Sequence, residues 1–342
     1  MAYNGVLDDL AACVGLREPA RTPVFALGLE FDMHMAGLTC ADSRTDVERV
    51  VKATSDAIAT YDYDWAVVFP DDYIEFEPLG LEMAGDPNTP AMPTRYLPMD
   101  RQTLARFQMP DADRAMRMPV HLEMIRRTKQ VLGDTACVTG RIAAPFSSLA
   151  LIYGIDALLT TMLLDPGLVQ DNTRFFIDHQ VAFGKAQFQA GADLLWLGDC
   201  VAASNFISLE HFAEFAVEPA AQVATGLLEC GGHVVYHAAE TSIPYIKLAA
   251  QLPVSALNLG EGVSVATVKR ELVSRKCLMG NFDPILLRDG SRQQVAEATD
   301  KMIRENTPGG GYIFNTGEGI MTNTPPENVA AMMKTAKRVA SF

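Results

Sequence analysis

The chain alternates short apolar runs with longer segments of helical periodicity, and this alternation constrains its fold more than any other feature. Eight apolar runs are typical of buried strands, and each is followed by a predicted helix. They cover residues 23–31, 65–69, 136–142, 194–198, 233–240, 256–259, 277–282 and 311–319. Strict βα alternation implies parallel strands with right-handed crossovers, and eight units close into a barrel. We therefore predict an α/β fold, a single (β/α)8 TIM-barrel domain spanning residues 1–342.

An open, doubly wound sheet is the alternative interpretation of the same alternation. Such a sheet normally carries a phosphate-binding fingerprint, but no G-x-G-x-x-G run follows the first predicted strand and no Walker A sequence occurs. Dinucleotide binding and ATP chemistry are therefore disfavoured. A Pro- and Met-rich stretch of about 86–119, after the second strand, is too long for an ordinary βα turn. We predict that it is an insertion that folds over the site as a lid.

Composition and charge limit the classes of partner and compartment. A formal net charge of -14 and the lack of a Lys/Arg cluster argue against nucleic acid as a partner. Six cysteines without C-x-x-C spacing argue against a disulfide framework and fit a reducing, cytoplasmic setting. No signal peptide is indicated, and the most apolar segment, 146–164, suits a buried helix better than a membrane span. The oligomeric state is open, with a homodimer as one option.

The candidate site residues share one position, because each lies near the carboxyl end of a predicted strand or directly after it. In an α/β barrel the ends of several strands form one rim, and catalytic groups come from that rim. Each residue alone could equally cap a helix or face water, so the prediction rests on the whole set. The candidates are Asp71, Asp72, Asp199, His237, Glu240, Asn281, Asn315 and Glu318. A glycine on either side of Glu318 lets the backbone turn sharply there.

Several short runs, spread over most of the chain, carry a family pattern. They are Val-Phe-Pro-Asp-Asp-Tyr and Pro-Leu-Gly-Leu-Glu within 68–82, Ala-Ala-Pro-Phe at 143–146, Gln-Ala-Gly-Ala-Asp at 189–193, Gly-Asp at 198–199, Ile-Ser-Leu-Glu-His-Phe at 207–212, Met-Gly-Asn-Phe-Asp-Pro at 279–284 and Asn-Thr-Gly-Glu-Gly at 315–319. Together they resemble the uroporphyrinogen decarboxylase superfamily, which holds the decarboxylase and a large group of corrinoid-linked methyltransferases. Individual residues must then decide between the branches.

The decarboxylase branch carries arginines near its N-terminus, in a Met-Arg-Gln-Ala-Gly-Arg run, which hold a porphyrinogen bearing many carboxylates. This chain has Leu-Gly-Leu-Glu-Phe-Asp-Met-His at 27–34 instead, which is acidic where that substrate is acidic. Asp71 matches the catalytic aspartate of the branch. Without the arginines a porphyrinogen lacks its counter-charges, so a lyase acting on a tetrapyrrole is disfavoured.

The branch that resembles the coenzyme M methyltransferases uses zinc to hold the acceptor thiol as a thiolate. Its ligands are a His-x-Cys pair on one strand and a further Cys in the last Gly-rich loop. The histidine is kept as His237, but Ala239 and Glu318 stand at the two cysteine positions. Because the soft ligand set is lost, we predict that zinc is absent. His237 and Glu318, helped by Asp199 or Glu240, are the remaining groups that could hold a metal.

An amine acceptor such as N5 of tetrahydrofolate needs no zinc, because it is uncharged and has a free lone pair at neutral pH. The Asn-Thr-Gly-Glu run is similar to that of the branch that moves methyl groups between a corrinoid protein and tetrahydrofolate, typified by glycine betaine-linked enzymes. The resemblance implies a methyltransferase that takes its methyl group from a methylated corrinoid protein. The corrinoid cofactor would arrive with this partner, and tetrahydrofolate would be the small-molecule methyl acceptor.

The resemblance also implies roles for the candidate residues. The catalytic candidates are His237, Asp199 and Glu318, and the substrate-binding candidates are Asn315, Asn281, Asp71, Asp72 and Glu240. Glu318, Asp199 and Asn315 would anchor the pterin, whereas His237 would line the methyl path or relay a proton from N5. A zinc-dependent corrinoid:thiol methyltransferase, a tetrapyrrole lyase and a non-catalytic binding protein are the alternatives. The original methyl donor and the direction of flux are open.

Overall fold

The structure, a computed structural model, describes residues 3–340 and confirms the predicted α/β barrel. Its eight strands are β1 (Val24–Phe25), β2 (Trp65–Val67), β3 (Cys137–Ala143), β4 (Leu194–Gly198), β5 (His233–His237), β6 (Ala256–Asn258), β7 (Cys277–Met279) and β8 (Tyr312–Asn315). From β2 onward each strand pairs in parallel with the next, and β8 pairs with β1. The sequence order of the strands is therefore their order around the barrel.

Asp64 closes the barrel between β1 and β2, which are the two ends of the hydrogen-bonded strand order. The amide of Asp64 donates to the carbonyl of Val24 at 3.1 Å, and the amide of Val24 donates to the carboxylate of Asp64 at 2.8 Å. Arg21 and Lys337 pair with the same buried carboxylate at 2.6 and 2.5 Å. The charge of this carboxylate is thus compensated where it would otherwise be costly.

Helices cover the outside of the barrel. They are Val6–Val14, Leu29–Met35, Cys40–Thr45, Val47–Tyr61, Arg101–Leu104, Met118–Leu132, Pro145–Tyr153, Ile155–Leu164, Pro166–Ala190, Leu209–His211, Glu218–Leu228, Ile243–Ala249, Val265–Glu271, Pro284–Asp289, Arg292–Asn306 and Pro326–Val339, with a 3-10 turn at Glu77–Leu79 and a π-helical segment at Phe212–Val217. Within residues 3–340 no single helix is long and apolar enough to cross a membrane. Pro145–Tyr153 and Ile155–Leu164 meet that test only as a pair, which bends by 114°.

The interior of the barrel is filled by alternate residues of the strands. Phe25 stacks on Trp65 with ring centroids 5.1 Å apart, and Trp65 contacts Trp196 at 5.6 Å. The intervening residues face outward and pack against the helices in a second, larger core. Because side chains alternate along a strand, the last inward residue of each strand faces the carboxyl end of the barrel. This parity decides which strand-end residues reach the site.

Two predicted elements near the N-terminus differ from the structure. The strand predicted at 23–31 ends at Phe25, and Leu29–Met35 is a helix that buries Phe31. The apolar run of that stretch indicated a strand, but burial of one helix face outweighs the local pattern. The sequence also predicts that the pair Asp42-Ser43 caps the long helix of residues 46–61. Instead Asp46 accepts from the Arg49 amide, and Asp42 completes a capping box with Thr39 one helix earlier.

The connection after β2 contains the predicted insertion of 86–119. An antiparallel hairpin, Met83–Ala84 with Met92–Pro93, opens it, and the helix Met118–Leu132 follows it. The middle of the segment contacts the helices after β3, where the Leu97 amide donates to the carbonyl of Ile152 at 3.0 Å. The tip of the hairpin brings Asn88 and Pro90 to a cavity described below. Closure of this segment as a lid stays a prediction.

Candidate functional site

Two adjoining cavities open at the carboxyl ends of the strands. The inner cavity has a volume of about 240 Å³, and the outer cavity has a volume of about 480 Å³. Both are lined by Leu29, Glu30, Val67 and Phe69, so together they form one continuous groove. The inner cavity is also lined by Leu27, Asp72, Arg141, Trp196, Gly198, Cys200, His237, Glu318 and Gly319. The outer cavity is also lined by Met33, His34, Leu38, Thr39, Cys40, Ser43, Val50, Pro70, Asn88, Pro90 and Thr322.

His237, the last residue of β5, contributes its imidazole to the wall of the inner cavity. The ring is buried against Trp196, with ring centroids 4.6 Å apart, and its Nδ1 lies 2.7 Å from Oδ1 of Asn258. Burial alone would lower the pKa of His237, but the neighbouring Cys200 and Glu318 side chains outweigh it. Together with the hydrogen bond to Asn258 they raise this pKa to about 9. The raised pKa makes His237 a stronger base than an ordinary imidazole, so its ring can take up a proton from a bound ligand.

Glu318 faces His237 across the inner cavity. Its Oε1 lies 3.7 Å from Nε2 of His237, and its side chain is 43% exposed, so the carboxylate is accessible to a ligand. Gly317 lies close to the backbone amide of Glu261 and to Asn281, where an added Cβ would sit at 3.5 Å from each. The turn after β8 can therefore approach its neighbours. An accessible carboxylate beside an imidazole can accept hydrogen bonds or exchange a proton.

Arg141, which sequence reasoning did not select as a site residue, also lines the inner cavity. Its guanidinium is buried, forms an ion pair with Asp72 and lies over the ring of Phe69 at 4.5 Å. Cys200 was also missed, although it follows the predicted strand at 194–198 directly after Asp199. The sequence could have indicated Arg141, because it lies two residues after Thr139 and four after the inward-facing Cys137. Side chains alternate along a strand, so Arg141 faces inward as well.

The prediction that Asp199 binds substrate is not supported by its position, because its carboxylate faces away from both cavities. It is fully buried, accepts from the amide and hydroxyl of Ser147 at 3.1 and 2.8 Å, and accepts from the Tyr236 hydroxyl at 2.8 Å. Burial raises the pKa of Asp199 to about 6 against these hydrogen bonds. The residue joins β4 to the start of the helix Pro145–Tyr153 and to β5.

The two predicted asparagines hold the backbone and do not line the groove. Nδ2 of Asn281 donates to the carbonyls of Gly260 and Val263 at 2.6 and 2.8 Å, which fixes the loop after β6. Asn315 is fully buried, and its Nδ2 donates to the carbonyl of Phe25 at 3.1 Å. Their amide groups satisfy buried backbone carbonyls, which would be costly to leave unpaired.

Glu240 and Asp71 are also occupied by other contacts. Glu240 accepts from the amides of Ser204, Thr241 and Ser242 at 2.7, 2.7 and 2.6 Å, so it ties two rim loops together. Asp71 forms ion pairs with Arg44 and Arg117, both at 2.7 Å, beside Glu77. Burial works against ionisation of Asp71, but the two guanidinium groups hold its pKa below the ordinary value. Of the predicted residues, the inner cavity thus gathers His237, Glu318 and Asp72.

The residues of the groove do not fit the zinc site that the resemblance to the thiol-activating branch implies. Within residues 3–340 no group of three or more His, Cys, Asp or Glu side chains is close enough to hold a metal ion. Asp199 and Glu240, the other ligands considered, direct their carboxylates to hydrogen bonds elsewhere. His237 and Glu318 alone offer one nitrogen and one carboxylate, which is short of the usual three protein ligands. The absence of zinc stays a prediction, which is tested below.

An eight-stranded barrel with a groove at the carboxyl ends of its strands places the protein in the α/β-barrel class, whose enzymes form their active sites at that end. The family model described as uroporphyrinogen decarboxylase (URO-D) matches residues 8–339, and the chain belongs to that family. The resemblance inferred from the short runs is thereby confirmed.

Relatives within the family carry two different activities in their names. The uroporphyrinogen decarboxylase of Nocardia farcinica is 25% identical over 346 residues, which cover 95% of this chain and 94% of that protein. The methylcobamide:CoM methyltransferase of Methanosarcina acetivorans is 25% identical over 222 residues, which cover 65% of this chain and 64% of that protein. A solved methyltransferase structure from Methanosarcina mazei has the same fold, with a TM-score of 0.88, 20% identity and coverage of 97% and 98%.

Proposed function

We propose that this protein is a methyltransferase that moves a methyl group from the methyl-Co(III) centre of a partner corrinoid protein to N5 of tetrahydrofolate. The observation that carries the proposal is the pairing of His237 with Glu318 in an accessible cavity, at positions where the thiol-activating branch has zinc ligands. An imidazole and a carboxylate suit an amine acceptor, which must lose a proton and needs no metal. The methyltransferase among the relatives adds support from the family.

The reaction requires the protein mainly to position the methyl donor and the pterin and to accept the proton of N5. The lone pair of N5 attacks the methyl carbon, the Co–C bond breaks, and its electron pair stays on cobalt as Co(I). The N5 proton then leaves, and Nε2 of the neutral form of His237 can receive it. Glu318 also accepts hydrogen bonds from the amino-pyrimidine edge of the pterin, while the guanidinium of Arg141 can donate to its carbonyl.

The outer cavity suits the arm of a folate that extends beyond the pterin. Met33, Leu38, Val50 and Pro90 give it an apolar lining, which can cover an aromatic ring. The combined groove falls within the range of roughly 300 to 1,000 Å³ that is usual for small-molecule sites. We therefore place the pterin in the inner cavity and the aminobenzoyl group in the outer one.

The charge of the groove argues against a tetrapyrrole lyase. Among the described residues that line the groove, three carry carboxylates, namely Glu30, Asp72 and Glu318, whereas Arg141 supplies the guanidinium. Arg141 is already paired with Asp72. A porphyrinogen with many carboxylates would be repelled by this lining, since bound carboxylates are usually matched by arginines.

A transfer assay tests the proposal directly. The purified protein is incubated without oxygen with methylcobalamin as the donor and with tetrahydrofolate, a thiol such as 2-mercaptoethanesulfonate, or neither. We expect 5-methyltetrahydrofolate to form in proportion to enzyme and little thioether. Thioether as the main product would support the thiol branch. In a separate incubation with uroporphyrinogen, release of carbon dioxide would support the lyase. Uncatalysed transfer is subtracted with heat-denatured protein.

Cysteine footprinting tests the placement of the acceptor, and the chain supplies its own control. Cys200 lines the inner cavity, Cys40 lines the outer cavity, and Cys230 is exposed before β5 at the other end of the barrel. We expect saturating tetrahydrofolate to slow alkylation of Cys200 and Cys40 by iodoacetamide at least tenfold and to leave Cys230 unchanged. Mass spectrometry of tryptic peptides measures the three rates. Equal protection of all three cysteines, or of none, would contradict the placement.

The loss of the cysteine ligands predicts independence from zinc. Protein purified without chelator should contain well below one equivalent of zinc by mass spectrometry, and chelation should leave methyl transfer to tetrahydrofolate unchanged. The reason is that His237 and Glu318 lack a third ligand among the described residues. Stoichiometric zinc whose removal abolishes transfer would return the function to the thiol-activating branch.

A further inference from the structure

A line of buried hydrogen bonds connects His237 to a backbone carbonyl on the far side of the barrel. Nδ1 of His237 lies 2.7 Å from Oδ1 of Asn258, Nδ2 of Asn258 donates to Oδ1 of Asn315 at 2.9 Å, and Nδ2 of Asn315 donates to the carbonyl of Phe25 at 3.1 Å. His237, Asn258 and Asn315 are at most 5% exposed. Water therefore cannot substitute freely for any partner in this line.

The direction of every hydrogen bond follows from the carbonyl at its end. A carbonyl oxygen only accepts, so the NH2 group of Asn315 must face Phe25 and its oxygen must face Asn258. The NH2 group of Asn258 then points to that oxygen, and it also lies 3.4 Å from the carbonyl of Met279. Reversing either amide would place oxygen against oxygen in a buried site.

The oxygen of Asn258 consequently faces His237, and it can only accept. Nδ1 of His237 must therefore carry a hydrogen in both the neutral and the protonated ring. In the neutral ring the lone pair is on Nε2, the nitrogen that lies 3.7 Å from Glu318 in the inner cavity. Neutral imidazole has one donor and one acceptor nitrogen, and the partner of one fixes the role of the other.

We propose that Asn258 and Asn315 are positioning residues that hold His237 in the Nδ1–H form, so that Nε2 is the atom that gives and takes the proton in the cavity. The tautomer follows from geometry alone, whereas its consequence for rate rests on the proposed function. Neither asparagine lines the groove, so both act through His237 and not on the ligand. The strand-end position of Asn315 is thereby explained without contact with a pterin.

Nitrogen-15 NMR of histidine-labelled protein reads the tautomer without any substrate. The His237 signals are assigned by their loss in His237→Gln and are recorded at a pH at which the ring is neutral. We expect Nδ1–H in the wild type. In Asn258→Leu, which keeps the side-chain size but removes the acceptor, the ratio should shift about tenfold toward Nε2–H, by the usual net worth of one hydrogen bond. Asn258→Asp keeps the acceptor for Nδ1 and should retain Nδ1–H, while its second oxygen, which faces Oδ1 of Asn315, lowers the stability of the variant.

Kinetics with methylcobalamin and tetrahydrofolate supply the second measurement. We expect Asn258→Leu to lower kcat about tenfold with little change in KM, and Asn258→Asp to recover most of the rate. Far-UV circular dichroism and urea unfolding confirm that both variants are folded. An unchanged tautomer in folded Asn258→Leu would overturn the proposal. Absence of transfer in every protein, with the tautomer shifted as expected, would refute the proposed function and leave the positioning role standing.

Discussion

Replacing Glu318 with Gln is expected to lower the affinity for tetrahydrofolate about 5- to 150-fold while the fold survives. The carboxylate can accept two hydrogen bonds from the amino-pyrimidine edge of a pterin, and paired, charge-assisted contacts of this kind are stronger than neutral ones. Gln keeps the shape but turns one acceptor oxygen into a donor, which then meets a ring N–H. The range corresponds to about 1 to 3 kcal/mol for one buried polar group left unsatisfied. Isothermal calorimetry measures the change.

Glu261→Gln is the matched control for this variant. Glu261 is an exposed carboxylate on the same rim, and it lines neither cavity. Partial burial and the nearby charge of Glu318 raise the pKa of Glu261, which shows that the two carboxylates are neighbours. We expect its replacement to leave folate affinity within about twofold, as is usual for a surface change. Unchanged affinity in Glu318→Gln would mean that the pterin is held elsewhere or is not the ligand. Loss of a bound zinc ion instead would make Glu318 a metal ligand.

The barrel could be predicted because the sequence repeats its signal eight times. Each apolar run alone is ambiguous, but alternation with helices leaves few topologies. The exception, at 23–31, is an apolar run that suits a strand, yet the chain buries Phe31 from a helix instead. Such a local pattern competes with packing that the sequence does not display. Errors of this kind move the ends of elements and leave the fold unchanged.

The site was harder to predict, because a residue's place after a strand does not tell where its side chain points. Gly198 lies two residues after the inward-facing Trp196 and therefore also faces inward. Asp199 then faces outward, and its carboxylate accepts hydrogen bonds from Ser147 and Tyr236. The same parity directs Arg141 inward, although it was not selected. Counting from the apolar inward residues of each strand would have corrected both assignments.

Parity alone still does not separate ligand-binding groups from structural ones. His237 and Asn315 are both the last inward residues of their strands, yet the first lines the cavity and the second is fully buried. The difference lies in the partner available to each. Asn315 meets the carbonyl of Phe25, whereas Nε2 of His237 meets the accessible carboxylate of Glu318. Partners so distant in the sequence are brought together only by closure of the barrel, so the sequence alone does not identify them.

Replacing Asp71 with Asn is expected to lower the free energy of unfolding by about 2 to 4 kcal/mol, without abolishing activity at temperatures where the variant is folded. Asp71 shares Arg44 and Arg117 with Glu77, and the four side chains are 8 to 20% exposed. Removing one partner of a buried pair usually costs about 3 to 5 kcal/mol, and partial exposure reduces this. Asn keeps the bond from the Tyr73 amide, so the loss reports on charge.

Urea unfolding followed by circular dichroism measures this change, with Asp113→Asn as the control. Asp113 is exposed and forms no ion pair in the described part of the chain, so its replacement should change the free energy of unfolding by less than about 0.5 kcal/mol. The experiment also separates the two branches of the family. In a decarboxylase the aspartate at this position is catalytic, so the same substitution would abolish turnover in a protein of nearly unchanged stability. That outcome would mean that Asp71 acts on substrate, and the assignment of the groove to a folate would fail with it.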